Sequence, residues 1–216
     1  MTVSDMALRT FLEQLIDNQP MHHRWLATLS FLENQGARKI FRFQPTEDLP
    51  LDLLQHAAEE ARHAWLFKKL LTRIGGDGNK QYRLLGGLAG RRYLDRLDMG
   101  ICRWLGDEAG MQGRVLKKGS YLLTTYAIEV RAAALYPLYS QVLKAKNVKL
   151  SLASVIQEED RHLAQITSEI NAWPELLTFK ERAVQLETRL YETFLNAAVK
   201  DAGLDALLLE GAIAIS

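Results

Sequence analysis

Apolar residues recur at three- and four-residue intervals along most of the chain, the period of one helical face. No long run alternates apolar and polar residues between turn signals, so strands are not expected. The pattern predicts a short amphipathic helix over Met6–Ile16, ending near Asn18 and Pro20, and a second from about Met21 to Phe43. Pro45 and Pro50 bracket a turn with Thr46 and Asp48 as capping candidates, and a third helix follows from Leu51 to Ile74. Gly75, Gly76 and Gly78 end it, because glycine favours helix C-termini. Residues 75–118 read as a long connection carrying one helical stretch, Arg91–Leu105. Further helices are predicted over Ser120–Lys146, from a Ser151 cap to Trp173, and from Pro174 to Lys200. The expected fold is all-α: one domain over 1–216, with four long helices in two hairpins over about 21–172, a long crossover, and accessory helices over 174–216.

Within this pattern one segment is echoed. Residues 59–63 read Glu-Glu-Ala-Arg-His and residues 158–162 read Glu-Glu-Asp-Arg-His, each on the second helix of a predicted hairpin. Helix positions i and i+3 share a face, so Glu60 converges with His63, and Glu159 with His162. Imidazole with carboxylate suits a first-row metal ion such as iron or manganese. Glu33 lies about as far before the Pro45–Pro50 turn as Glu60 lies after it, which sets the two at one height in an antiparallel pair. Glu129 matches Glu159 and His162 across the turn near Asn147 to within about one helical turn. Glu129 also sits in the apolar run Tyr-Ala-Ile-Glu-Val-Arg-Ala-Ala-Ala, where a buried carboxylate is costly unless paired or bound to metal.

Composition narrows the field without changing the picture. The 216 residues are 48% hydrophobic and 25% charged, as in an ordinary globular protein with a core of its own. With 27 Lys and Arg against 26 Asp and Glu, the net charge of +1 argues against a nucleic-acid coat. The single cysteine, Cys102, excludes an internal disulfide and a thiolate metal cage, and reads as a small buried hydrophobe in a cytoplasmic protein. No run approaches the roughly 18 apolar residues of a membrane span, nor does Met1–Asp17 look like a secretory signal. The apolar tail from Leu204 to Ser216 suits packing or subunit contact and permits a homodimer.

The order Glu33, Glu60-x-x-His63, Glu129, Glu159-x-x-His162 resembles the ferritin-like di-iron carboxylate superfamily over about residues 21–172. Length and ligand order look most like its small di-iron oxygenases; a single cysteine departs from rubrerythrins, and two Glu-x-x-His pairs depart from the usual ferritin site. The resemblance implies a ferritin-like four-helix bundle holding two iron ions, with manganese or a mixed pair as alternatives. Glu60 and Glu159 would bridge, Glu33 and His63 would complete one ion, and Glu129 and His162 the other. It further implies dioxygen activation on a small or apolar organic substrate, with electrons from an external donor. Iron handling, as a ferroxidase or peroxide-detoxifying protein, is the alternative, and a metal-free helical interaction module a third.

Other residues carry blander expectations. Glu59 and Glu158 are surface partners of His63 and His162 if the motifs are mere charge pairs, while Arg62 and Arg161 face outward or form ion pairs. Asp160 is a candidate partner for a ligand histidine on an otherwise exposed face. Tyr126, three residues before Glu129, is the candidate catalytic or hydrogen-bonding tyrosine, although packing is the default. Tyr136, Tyr139 and Trp65 are expected between helices; His22, His23 and His56 as structural or exposed; and Glu187 and Glu192 on a solvated face. The arginines 83, 91, 92, 96 and 103 suit a solvated face, or otherwise a rim for an anionic substrate.

Overall fold

In the computed structural model, residues 3–43 and 49–204 are described. They form seven helices: α1 (Val3–Asp17), α2 (Gln19–Phe43), α3 (Leu51–Arg73), α4 (Gly87–Asp107), α5 (Gly113–Ala145), α6 (Ala153–Asn171) and α7 (Pro174–Asp201). The described residues contain no strand, as the periodicity requires. The cap candidates Thr46 and Asp48, and the tail from Asp205 onward, lie outside the described residues.

Helices α2 and α3 pair antiparallel. Gln19 reaches the carbonyl of Ile74 at 2.5 Å, Ser30 Oγ donates to the Ala64 carbonyl at 2.7 Å, and Gly36 lies against Glu60. Helix α3 stops at the expected glycines, where the Gly76 N–H returns to the Leu71 carbonyl at 3.1 Å. Helices α5 and α6 form the second pair, joined by a turn in which Asn147 takes φ 57°. Ser151 Oγ accepts the Ala153 N–H at 3.4 Å at the start of α6. Helices α4 and α7 pack on each other and on α5, while α1 lies against α2 and α5. The start of α4 presses so close to α7 that a Cβ at Gly86 (φ 76°) would meet the Phe194 ring at 2.6 Å.

Two helices are longer than expected. Helix α4 spans Gly87–Asp107, longer than Arg91–Leu105, and α5 begins at Gly113 instead of Ser120. Gly113 and Gly119 read as helix breakers. Gly119 instead sits inside the helix at a close approach, where a Cβ would stand a tight 3.2 Å from the side chains of both Leu105 and Leu176. Helix α5 also continues through Pro137.

The core is two apolar clusters with a polar belt between them. One holds Trp25, Leu29, Phe67, Leu71, Leu135, Tyr139, Leu152 and Val155; the other holds Ile40, Ala57, Leu122, Ala127, Ile166 and Ile170. In each of α2, α3, α5 and α6 the chain passes from one cluster to the other, and Glu33, Glu60, His63, Glu129, Glu159 and His162 fall in the interval. Burying apolar surface on both sides, at roughly 25 cal/mol per Å², holds the four helices at the spacing that brings these groups together.

Candidate metal centre

The six residues singled out by spacing are all buried, between 0% (His63) and 8% (Glu33) exposed. They come from four helices: Glu33 from α2, Glu60 and His63 from α3, Glu129 from α5, Glu159 and His162 from α6. The side chains gather into two groups, Glu33–Glu60–His63–Glu159 and His56–Glu60–Glu129–His162. Within each group one ligating atom per residue lies within 4.8 Å of all the others.

Both helix-spaced histidines point the same ring nitrogen inward. His63 Nδ1 is 3.0 Å from Glu159 Oε1 and 3.9 Å from Glu33 Oε2. His162 Nδ1 is 3.6 Å from Glu60, 3.8 Å from Glu129 and 3.6 Å from Glu159. No hydrogen bond of good geometry satisfies either Nδ1, nor Glu129 Oε2 or Glu159 Oε1. Buried polar atoms without partners are rare and costly. His63 Nδ1 and Glu159 Oε1 face each other at 3.0 Å, and cations bound in the two groups would satisfy such atoms.

The outward ring nitrogens are held by a crossed arrangement. His63 Nε2, on α3, meets Glu158 of α6 at 2.7 Å; His162 Nε2, on α6, meets Glu59 of α3 at 2.8 Å. Arg62 pairs with Glu158, and Arg161 pairs with Glu59 at 2.6 Å. Each echoed segment therefore orients the histidine of the other. Donation of Nε2–H to a carboxylate leaves Nδ1 unprotonated, the state a metal ion requires. Glu59 and Glu158 are thus not i+4 surface partners of their own histidines, and they take the role considered for Asp160, which is exposed.

Electrostatics agree with the geometry. Burial, then the charges of Glu60 and Glu159, pushes Glu33 well above the usual carboxylate range. Burial, then Glu159 and Glu60, does the same to Glu129. Burial opposes ionisation of Glu159, yet in the metal-free centre hydrogen bonding from His162 and His63, with Nδ1 protonated, and the charge of His63 outweigh it and hold that carboxyl low; a cation at Nδ1 would take the place of that proton. For Glu59, burial opposes ionisation, but hydrogen bonds from His162, Gln55 and Arg161 overcome it and bring the carboxyl down to about 2. Four crowded carboxylates cannot all be charged in a buried site without cations.

Four residues around the centre and on α3 are placed otherwise than the sequence suggested. Tyr126 lies under Lys180 of α7, whose Nζ is 4.7 Å from the ring, and packs toward the second apolar cluster. The tyrosine at the centre is Tyr136, buried, which donates its hydroxyl to Glu33 Oε1. Helical geometry explains the exchange: seven residues return to within about 20° of the starting direction, whereas three leave about 60°. His56 stands inside the centre, one turn before Glu60, with Nε2 3.4 Å from Glu60 Oε1 and 3.3 Å from Glu129 Oε1. Its spacing to Glu60 is the signal that sequence reasoning passed over. Trp65, by contrast, is 56% exposed and carries Lys69 over its ring at 4.6 Å.

A cavity of about 40 Å³ touches the centre, lined by Gly36, Ile40, His56, Glu60, Tyr121 and Glu129 among others. A larger groove of about 690 Å³ runs along the outside of α2 and α3, past Phe31, Trp65, Tyr82, Lys68 and Arg91, and none of the clustered residues lines it. No helix among the described residues is long and apolar enough to cross a membrane. Against known proteins, no family model, no curated protein and no solved structure matches this chain.

Proposed function

We propose that this chain is a ferritin-like di-metal oxidoreductase, in which α2, α3, α5 and α6 carry Glu33, Glu60, His63, Glu129, Glu159 and His162 as ligands to two iron ions. Manganese, alone or mixed with iron, is the alternative metal. The observation that carries the reading is the convergence of two buried ligand groups sharing Glu60, with unsatisfied His63 and His162 Nδ1 atoms turned into them. Iron bound there would supply dioxygen activation, with electrons from an external donor and a small or apolar organic molecule as the substrate oxidised.

The chain's own residues do the rest. Glu59 and Glu158 hold the two imidazoles in one tautomer and one orientation, and Tyr136 fixes Glu33 by donating to one of its oxygens. The apolar clusters on either side keep bulk water from the carboxylates, which strengthens every charge interaction inside. The cavity touching the centre favours a second reading. At about 40 Å³ it is far below the roughly 300–1,000 Å³ of an organic-ligand site, and it suits dioxygen or peroxide in an iron-oxidising or peroxide-removing protein.

Anaerobic titration with ferrous iron tests the proposal. Two ions per chain are expected, and Glu60→Ala and His162→Ala should each abolish that stoichiometry while leaving the helical circular dichroism intact. Wild-type protein that binds neither iron nor manganese stoichiometrically overturns it. Admitting dioxygen and analysing the products then separates the two readings: an oxygenated organic product supports the first, and ferric iron alone or consumed peroxide supports the second.

A further inference from the structure

His56 lies outside the six-residue pattern, yet its ring is placed as the ligands are. It is 7% exposed, on the same stripe of α3 as Glu60 and His63. Its Nε2 points between Glu60 Oε1 and Glu129 Oε1, at 3.4 and 3.3 Å. Its other nitrogen, Nδ1, is engaged with the Tyr121 hydroxyl at 3.3 Å, which turns Nε2 toward the carboxylates. The His56 and His162 rings stand with centroids 4.0 Å apart and planes at 39°. One atom each from His56, Glu60, Glu129 and His162 lies within 4.8 Å of the other three.

We propose that His56 is a seventh ligand, through Nε2, so that the two metal positions are unlike. One has Glu33, Glu60, His63 and Glu159, with a single nitrogen; the other has His56, Glu60, Glu129 and His162, with two. The proposal rests on the di-metal reading above. Its chemical consequence is selectivity. Imidazole favours the later first-row ions over manganese, whereas carboxylate oxygen suits manganese and magnesium. The two positions therefore fill in order, the two-histidine position first for cobalt, iron or zinc. Tyr121 is the positioning residue: with Nε2 on a metal ion, Nδ1 would carry the ring proton and the Tyr121 oxygen, 3.3 Å away, would accept it. The competing role is a protonated His56 that serves only as counter-ion to Glu60 and Glu129.

Cobalt(II) titration of the full chain, followed by absorption and proton NMR, tells these apart. Wild type should take two cobalt ions in two unequal steps. It should also show three shifted, solvent-exchangeable imidazole N–H signals, one each from His56, His63 and His162. His56→Gln should weaken the tighter step at least tenfold, leave the other within about twofold, and remove one of the three signals. Where His56→Gln does not fold, the signal count in wild type decides alone. Two signals, or a His56→Gln protein that binds both ions as wild type does, overturn the assignment while leaving the di-metal reading intact. Wild type that binds no cobalt, iron or manganese overturns both.

Discussion

Glu59 and Glu158 each hold a histidine that belongs to the opposite helix. Losing such an outer partner typically lowers metal affinity about 10–100-fold. Glu59→Ala and Glu158→Ala, which remove the acceptor, should therefore bind metal that much more weakly by competitive chelator titration, whereas Glu59→Gln and Glu158→Gln, whose amide oxygen still accepts Nε2–H, should lose less. A different residue contributes to acid sensitivity. Burial, then the neighbouring charge of His23, brings His22 down from 6.5 to about 4. Above pH 6.5 the ring is neutral whether the chain is folded or unfolded. As pH falls from 6.5 to about 4 only the unfolded chain gains the proton, so stability is lost through that window, by at most about 1.4 kcal/mol per pH unit. His22→Gln should show a shallower decline in urea midpoint from pH 7 to 4.5 than wild type. The raised carboxyls of Glu33 and Glu129 act in the opposite direction, but they are common to both proteins and drop out of the comparison.

At the scale of elements, the echoed Glu-x-x-His segments and the hairpin turns made the two helix pairs that carry the clustered carboxylates and imidazoles legible in the sequence. Residues acting across helices were less so. Tyr136 bonds a residue 103 positions away, and no local period reports that. Glu187 carried a signal that the solvated-face default concealed. Ala183, Tyr191, Phe194 and Ala198 mark the buried stripe of α7, and Glu187 lies on it at 1% exposure. There Arg131 of α5 binds both its oxygens, at 3.0 and 2.9 Å, and Tyr93 of α4 donates to it. Arg131 also lies over the Tyr191 ring at 4.2 Å. Glu187→Ala would strand a largely buried guanidinium and should cost about 3–5 kcal/mol in urea unfolding. The double replacement Arg131→Met with Glu187→Leu should recover most of that loss, because apolar packing substitutes for a buried pair.

For the whole molecule, metal bound by both helix pairs would be linked to folding. An ion present at about 100 times its dissociation constant adds about 2.7 kcal/mol per site when the unfolded chain does not bind it. In a chain of 216 residues that is roughly 5–10 °C in Tm per site. Ferrous or manganous ion should raise the melting temperature by that amount, and a chelator should return it to the metal-free value. An unchanged Tm at saturating metal would contradict a centre shared by four helices.

The crossed pairing has a further consequence, for alignment. Leucine and isoleucine stripes repeat every turn, so helices that meet only through them fit nearly as well after sliding about 5.4 Å past one another. The belt of charge between the two clusters admits no such slip. Moving α6 by one turn against α3 would part His63 from Glu158, His162 from Glu59, and both arginines from their carboxylates together. The belt is a key cut to a single register, and it gives this bundle one alignment where greasy surfaces alone would accept several.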